Sequence, residues 1–223
     1  MNILSVYAHD NPKSLTASLK NLALGELQRQ GHTIYESDLY AAAFSPVAKK
    51  LDFTNLLGGH YNYLLEQKNT STNGHLFSPD IMSEIEKVAH ADLIIFHTPL
   101  WWFGFPAILK GWFDRVFAMG VAWDAGKVFD QGLLKGKTAL ICTTVGYPEN
   151  YYKKEGQLKM TMDEVLRPIQ NGIFSLCGMD VLEPFVVYNS LGMTEEETRK
   201  VISEYQFKIA HIKDSPTYVS KFD

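Results

Sequence analysis

The sequence predicts an α/β protein whose parallel sheet is covered by helices on both faces. Short apolar runs rich in β-branched residues alternate with stretches whose apolar residues recur every three or four positions. The length of 223 residues fits one such domain, and 46% hydrophobic and 21% charged residues are ordinary globular values. We expect one domain over residues 1–212 and an irregular tail over residues 213–223.

The first part of the chain predicts a β-α-β unit. Residues 2–8 are apolar and end at a turn, which is typical of a short buried strand. A helix with Ser14 or Thr16 as its cap follows and ends at Gly31. Thr33–Asp38 is predicted to be the second strand.

Residues 39–77 show little periodicity and predict a long irregular segment. Loops of that length in a compact domain tend to be functional or disordered. Aromatic residues argue against disorder, so we expect a packed excursion, with a subunit interface as one place for it. These aromatic residues are Phe53, Tyr61, Tyr63 and Phe77.

The next stretch predicts two helices, each followed by a strand. Residues 78–90 form a helix with Pro79 near its first turn, and residues 92–97 form the third strand. A second helix over residues 107–119 precedes the fourth strand, at residues 137–144.

The last stretch predicts a helix over residues 161–177, a fifth strand over 181–187 and a final helix over 194–211. Pro184 has no N–H to donate to a neighbouring strand, so we expect the fifth strand at the edge of the sheet. Thr194 is the predicted cap of the final helix.

Two doubly wound strand orders compete for five parallel strands. The dinucleotide-binding order needs G-x-G-x-x-G after the first strand, but the sequence there is HDNPKSLTAS. The flavodoxin-like order 2-1-3-4-5 needs no such glycines and places its ligand at the loops after strands 1 and 3. We therefore predict a flavodoxin-like sheet with a ligand against residues 9–18 and 98–104.

Charge and cysteine content narrow the class of protein. The formal net charge of −4 argues against a general nucleic-acid binder. Cys142 and Cys177 lie in apolar runs without metal-ligand spacing, which predicts buried free thiols.

The apolar window over residues 93–109 is shorter than the roughly twenty residues that a membrane span needs. With no leader at the start, we expect a cytoplasmic protein without a membrane span or a metal site.

The stretch from Pro99 to Gly104 is the first candidate for ligand binding. Trp101, Trp102 and Phe103 are consecutive, and three consecutive rings cannot all face one core. At least one ring should therefore face a ligand or a partner chain. Aromatic walls hold flat ring systems well, and we interpret the stretch as a flavin wall.

Two further loops provide polar groups. The helix start near His9 carries the hydroxyls of Ser14, Thr16 and Ser18, which suits a phosphate, although an ordinary capped helix has the same composition. Residues 143–146 end the fourth strand and can supply hydroxyl and backbone donors to a ligand's polar rim. A plain turn fits that sequence equally well.

Five segments of the chain follow one another over residues 2–212: YAHDNPKSLTASLK, GHTIYESDLY, PLWWFGFPAILKGWFDRVF, TTVGYPENYY and PIQNGIFSLCGMDVLEP. In order and spacing, they resemble the NAD(P)H:quinone oxidoreductase family, the DT-diaphorases. The resemblance implies a homodimer that binds FAD, is reduced by NAD(P)H and passes two electrons to a quinone in a ping-pong cycle.

The resemblance also implies roles for single residues. Tyr151 and the backbone N–H near Gly146 would stabilise the negative charge of reduced flavin. The substrate pocket would consist of Trp102, Phe103, Leu176 and, from the partner chain, Trp123 and Phe129. The positions implied for FAD are His9, Ser14, Leu15, Thr16, Ser18, Asn62 of the other subunit, Pro99, Leu100, Trp101, Trp102, Phe103, Thr143, Thr144, Val145, Gly146, Tyr151, Leu191 and Arg199.

This chain departs from the family around the acceptor. The family histidine six residues after the tyrosine has no counterpart, and Gln157 and Leu158 occupy that neighbourhood. Val145 stands where many members have glycine, and Leu176 and Ala125 replace pocket aromatics. Acceptor preference is therefore open. Azo or nitro reduction, and a non-catalytic flavoprotein such as a regulator of an ion-efflux system, are the alternatives; FMN is the alternative cofactor.

Overall fold

A parallel sheet forms the centre of the fold in the computed structural model, which describes residues 1–74 and 76–218. Its strand order is β2-β1-β3-β4-β5, with a short β6 also paired to β4. This order confirms the predicted flavodoxin-like sheet. The strands are β1 (Asn2–Tyr7), β2 (Thr33–Asp38), β3 (Leu93–Pro99), β4 (Thr138–Thr144), β5 (Asp180–Val181) and β6 (Phe185–Val187).

Helices cover both faces of the sheet and divide the core in two. Successive side chains of a strand point to opposite faces, so Ile3 joins one apolar cluster and Leu4 the other. The first cluster lies under α1 and α6, and the second lies under α3, α4 and α5. The helices are α1 (Leu15–Arg29), α2 (Tyr63–Thr72), α3 (Pro79–His90), α4 (Ala107–Val116), α5 (Met162–Ile169) and α6 (Glu195–Ala210).

The excursion over residues 39–77 is packed, as predicted, but it is not irregular throughout. It contains a 3₁₀ turn at Lys50–Asp52 and the helix α2. The ring of Phe53 lies 5.1 Å from that of Tyr63 and 5.9 Å from that of Phe77, centroid to centroid. The prediction of a segment without regular structure was therefore wrong over α2.

A buried ion pair fastens the excursion to the rest of the domain. The guanidinium of Arg115 in α4 donates to Asp52 at 2.8 Å and to the exposed Asp80 at 2.6 Å. Tyr63 donates its hydroxyl to the same Asp52 at 2.8 Å. The excursion thus contacts α4 through charged and aromatic groups rather than through a continuous apolar face.

Three element boundaries differ from the sequence prediction. The predicted fifth strand is divided into β5 and β6, because Pro184 between them cannot donate a ladder hydrogen bond. The predicted helix over residues 161–177 is α5, with Pro168 inside it, followed by a π-helical turn at Gln170–Ser175. The predicted helix over residues 107–119 ends at Val116.

The described part of the tail runs along the sheet edge, where Thr217 bridges to Leu182. Residues 219–223 of the predicted irregular tail lie outside the described residues. Cys142 and Cys177 are buried free thiols, as predicted. Within residues 1–74 and 76–218, no helix is long and apolar enough to cross a membrane.

Candidate flavin-binding site

Three loops meet at the carboxyl ends of β1, β3 and β4. The hydroxyl oxygens of Thr16 in α1 and Thr144 in β4 lie 3.0 Å apart. The Leu100 N–H also donates to the Thr144 carbonyl at 3.0 Å. The helix start, the aromatic stretch and the Thr-Thr strand end are therefore neighbours in space. This edge is the topological switch point of the sheet, where ligands of doubly wound proteins bind.

The first loop presents the amino end of α1. Ser14 caps the helix by accepting the Ala17 N–H, and no acidic residue lies in the first turn. The positive end of the helix dipole therefore remains available to a phosphate. His9 accepts the Asn11 N–H at 3.0 Å through Nδ1, and partial burial lowers the pKa of its imidazole.

The other two residues predicted on α1, Ser18 and Leu15, make contacts within the protein. Ser18 donates its hydroxyl to the Ser14 carbonyl, four residues earlier, at 3.2 Å. Leu15 packs against the apolar cluster under α1 and α6.

The second loop is a tight hairpin that exposes two aromatic rings. Trp101 and Gly104 exchange both backbone hydrogen bonds, at 2.9 and 3.0 Å. The two residues between them, Trp102 and Phe103, have φ angles of 50° and 58°. Positive φ at both central positions is the signature of a type I′ turn, which favours Asn and Gly. Backbone strain of this kind clusters at ligand sites.

We call the space between the loops after β3 and β4 the aromatic cavity; its volume is about 460 Å³, and no residue of the loop after β1 lines it. Such a volume lies within the range of small-molecule sites. No charged side chain is among the described residues that line it, so it suits a neutral, flat ring system. The lining residues are Leu100, Trp102, Phe103, Gly146, Tyr147, Tyr152, Leu158 and Leu191.

An orphaned hydroxyl at the end of β4 is consistent with a bound group that has a polar rim. Thr143 is fully buried, and its Oγ1 has no hydrogen-bond partner among the described residues. A buried hydroxyl without a partner costs about 1–3 kcal/mol, so a polar atom of a ligand would relieve that cost. Thr143 does not itself line the aromatic cavity, so the fit to a flavin nucleotide rests on the aromatic wall and the nearby helix start.

The structure brings tyrosines to the cavity that the sequence did not single out. Tyr147 and Tyr152 line it, whereas Tyr151 stacks on Tyr147 with ring centroids 5.1 Å apart. Tyr152 is buried, and this burial raises the pKa of its phenol. Leu158 also lines the cavity and Gln157 does not. The only signal in the sequence was the concentration of tyrosines after Gly146.

Five of the eighteen predicted cofactor residues line the aromatic cavity, and the other thirteen do not; the five are Leu100, Trp102, Phe103, Gly146 and Leu191. Leu191 is 91% exposed, yet its Cδ1 lies 3.2 Å from the place of a Cβ added to Gly146. Arg199 is exposed on α6 and pairs with Glu195 at 3.4 Å. Asn62 caps α2 by accepting the N–H groups of Leu64 and Leu65.

The predicted substrate residues are divided between two places in one chain. Trp102 and Phe103 line the aromatic cavity, whereas Trp123 and Leu176 line a separate groove of about 360 Å³. We call it the Trp123 groove; Leu64 of α2 and Phe113 of α4 also line it. Phe129 is 53% exposed and its N–H donates to the Leu176 carbonyl at 2.8 Å.

Fold and site together define a doubly wound α/β protein with a cavity at the carboxyl ends of β3 and β4, next to its topological switch point. A family model described as "Flavodoxin-like fold" matches residues 1–209. The chain belongs to this flavodoxin-like family.

Two mammalian relatives align with nearly the whole chain. Human "Ribosyldihydronicotinamide dehydrogenase [quinone]" is 41% identical over 217 residues, which are 96% of this chain and 93% of the relative. Guinea pig (Cavia porcellus) "NAD(P)H dehydrogenase [quinone] 1" is 37% identical over 219 residues, 96% of this chain and 78% of the relative.

Solved structures agree with the fold. A Klebsiella pneumoniae protein assigned as a quinone reductase superposes with a TM-score of 0.93 at 33% identity, covering 97% of this chain and 86% of that one. General stress protein 14 of Treponema denticola, solved with FMN, gives a TM-score of 0.67 at 20% identity, covering 96% of this chain and 99% of that one. At that identity, the likeness shows the fold alone.

Proposed function

We propose that this protein is a flavin-dependent NAD(P)H:quinone oxidoreductase. NAD(P)H, a proton and a quinone are converted to NAD(P)⁺ and a hydroquinone, so that two electrons are transferred. The aromatic cavity next to the switch point is the observation that carries the proposal, because it offers a flat apolar wall close to the α1 start, which Thr16 joins to the end of β4. The names of the two mammalian relatives support the same reaction.

The chain binds and orients the reactants, and the flavin supplies the hydride chemistry when it is bound. The α1 start near Ser14 and Thr16 holds the phosphates, and the residues implied by the resemblance hold the rest of the cofactor. Thr143 offers its orphaned hydroxyl to the polar rim. Trp102 and Phe103, which line the cavity, would contact the ring system from the side of the β3 loop.

Tyr151 and the Gly146 N–H are the proposed stabilisers of negative charge on the reduced cofactor. Tyr151 stacks on Tyr147, whereas its neighbour Tyr152 lines the cavity. An experiment must therefore distinguish the role of Tyr151 from that of Tyr152. We expect Tyr151→Phe to slow reduction of the bound flavin about a hundredfold in stopped flow. An unchanged rate in Tyr151→Phe with a slow rate in Tyr152→Phe would transfer the role to Tyr152.

FAD is the proposed cofactor, with FMN as the alternative. Release of the flavin from purified protein, followed by mass measurement, distinguishes them. FAD would support roles for Asn62 and Arg199 at the adenylate, and FMN would remove those roles. A well-folded sample without any flavin would overturn the proposed function.

The electron donor and the acceptor are tested on the same preparation. The two relatives are named for different donors, so NADH, NADPH and ribosyldihydronicotinamide should be compared with one quinone. Quinones, an azo dye and a nitroarene then rank the acceptors. NAD(P)H oxidation without any quinone reduction would contradict the assignment.

We further infer a cytoplasmic homodimer. The buried free thiols of Cys142 and Cys177 support a reducing compartment. The separation of the Trp123 groove from the aromatic cavity supports a dimer in which each site draws its second half from the partner chain.

A further inference from the structure

The ring of Tyr147 forms a second aromatic side of the cavity, on a different loop from Trp102 and Phe103. It belongs to the loop after β4, and 54% of the residue is exposed. Its ring lies nearly parallel to that of Tyr151, at 10° and 5.1 Å between centroids. Tyr151, which does not line the cavity, covers one face of the Tyr147 ring and leaves the other face for a ligand.

Backbone hydrogen bonds fix the loop that carries this pair. The Asn189 N–H donates to the Tyr147 carbonyl at 2.9 Å, and the Ser190 N–H donates to the Val145 carbonyl at 3.0 Å. The Tyr151 N–H donates to the Pro148 carbonyl at 3.0 Å. A ring held on such a fixed loop is pre-organised, and a ligand that stacks on it loses little free energy in ordering the site.

Exposure increases from the depth of the cavity to its mouth. Tyr152, in the depth, is 7% exposed, whereas Tyr147 and Trp102 at the mouth are 54% and 97% exposed. The proposed flavin would occupy the depth, near the strand ends, and a reactant that arrives and leaves in each turnover would then meet the mouth. The mouth is aromatic and uncharged among the described lining residues, so it favours a neutral flat ring.

We propose that Tyr147 determines acceptor specificity by stacking on neutral, fused-ring quinones at the mouth of the aromatic cavity. The inference rests on the proposed function, because it requires a flavin in the depth of the same cavity. It assigns Tyr147 to the binding of the electron acceptor, for which the family resemblance did not predict a preferred quinone.

Equilibrium binding tests this without turnover. Menadione is titrated into the oxidised holoprotein, and its dissociation constant is read from the perturbation of the flavin absorbance. Aromatic pairs contribute enough that we expect Tyr147→Ser to raise this constant roughly 3- to 10-fold, and Tyr147→Phe to change it less than about twofold. Phe207→Ser is the matched control, because Phe207 is 68% exposed, contacts the ring of His211 at 4.3 Å between centroids and does not line the cavity.

Kinetics and cofactor affinity complete the test. In Tyr147→Ser, the KM for menadione should rise more than the KM for 1,4-benzoquinone, whose single ring offers less stacking area. Unchanged menadione affinity in Tyr147→Ser overturns the inference. Weaker flavin binding with unchanged menadione affinity also overturns it, and assigns Tyr147 to the cofactor. If the serine variant does not fold, Tyr147→Leu keeps the apolar volume without the ring, and the same outcomes apply. Wild-type holoprotein that reduces no quinone instead refutes the proposed function itself.

Discussion

At the scale of single residues, two buried hydroxyls join the helix start to the end of β4. Thr16 and Thr144 are 2% and 7% exposed, and their oxygens are 3.0 Å apart. Replacing one threonine with valine keeps the shape but leaves the other hydroxyl without its partner. We expect Thr16→Val and Thr144→Val each to lower the free energy of unfolding by about 1–2 kcal/mol in urea.

The double variant is the control for this pair. With both hydroxyls removed, neither is orphaned, so the loss in the double variant should be clearly smaller than the sum of the single losses. Strictly additive losses would show that the two hydroxyls are not coupled.

His97 is a neutral histidine inside the sheet. Its Nδ1 lies 3.0 Å from the Ser5 hydroxyl, and its Nε2 lies 2.9 Å from the Tyr205 hydroxyl. Complete burial, with a smaller contribution from the charge of Lys20, lowers the pKa of its imidazole to about 3. No oxidoreductase step requires this histidine, and its hydrogen bonds join β1, β3 and α6.

Stability should depend on pH through His97. The folded imidazole stays neutral until about pH 3, whereas the unfolded one takes up a proton near its ordinary pKa of about 6.5. The stabilisation is therefore complete above about pH 6.5 and is lost as the pH falls towards 3, with a limiting slope near 1.4 kcal/mol per pH unit. Free energies of unfolding at several pH values between 7 and 4 should show a flatter profile in His97→Gln. Parallel profiles would contradict this account.

Residue identity at the cavity was only partly predictable. Trp102, Phe103 and Gly146 were predicted from the sequence and do line the cavity. Tyr152 was not predicted to line it. Side chains of adjacent loop residues point in different directions, and those directions depend on backbone hydrogen bonds of the loop. One of them runs from the Tyr152 N–H to the Glu149 carbonyl at 2.9 Å. A sequence gives no periodicity from which to predict such a choice.

At the scale of elements, the hairpin at Trp102 holds this exposed ring at the cavity through a strained backbone that lowers the stability of the protein. Trp102 is 97% exposed and has a φ of 50°, so its side chain contributes little burial while its backbone is strained. Asn adopts this conformation more readily than Trp. We expect Trp102→Asn to raise the free energy of unfolding of the flavin-free protein by about 0.5–1 kcal/mol, measured in urea.

The same variant should bind its reactants less well. Loss of the indole removes part of the aromatic wall, so both flavin affinity and menadione affinity should fall while the apoprotein becomes more stable. Trp112→Phe in the core is the contrasting control: it should destabilise the protein, because Trp112 is fully buried and donates to Glu84 at 2.8 Å. A less stable Trp102→Asn apoprotein would show that the turn carries no strain.

Helix α2 shows what sequence periodicity cannot detect. Its buried residues are all polar: Glu66, Gln67, Asn69 and Thr70. Gln67 donates to the Asp114 carbonyl at 2.9 Å and accepts the Met119 N–H at 3.1 Å. This helix docks through hydrogen bonds rather than an apolar face, so the pattern that predicted the other helices is absent. Its contacts are non-local, and only the folded chain brings them together.

At the scale of the whole molecule, strand order was the most predictable property. The alternation of strands and helices, with no glycine motif after β1, was sufficient to choose the order 2-1-3-4-5, and the observed order agrees. That order alone placed the loops near Ser14, Trp102 and Thr144 at one edge. Strand order does not bring the aromatic cavity and the Trp123 groove together, because the two are separate within one chain.

The surface around the excursion has the character of an interface. Several large apolar side chains there are exposed, with Leu51 at 79%, Leu57 at 57% and Leu65 at 52%. Leu64, 46% exposed, extends this surface into the Trp123 groove. Exposed apolar patches of this kind mark contact surfaces, and a second copy of the chain is the occupant that the homodimer proposal requires.

A charge at Leu64 should therefore separate the subunits. Burying an unpaired carboxylate at an interface costs several kcal/mol, so we expect Leu64→Asp to weaken association at least about 100-fold, as measured by light scattering over a concentration series. If Trp123 and Phe129 reach the partner's site, quinone reduction per bound flavin should fall together with the dimer fraction. Phe207→Asp places the same charge on a more exposed apolar position of α6, at 68% against 46% for Leu64, and should leave both unchanged. A Leu64→Asp monomer with full activity would mean that each chain builds its acceptor site alone, and the Trp123 groove would then have no part in the reaction.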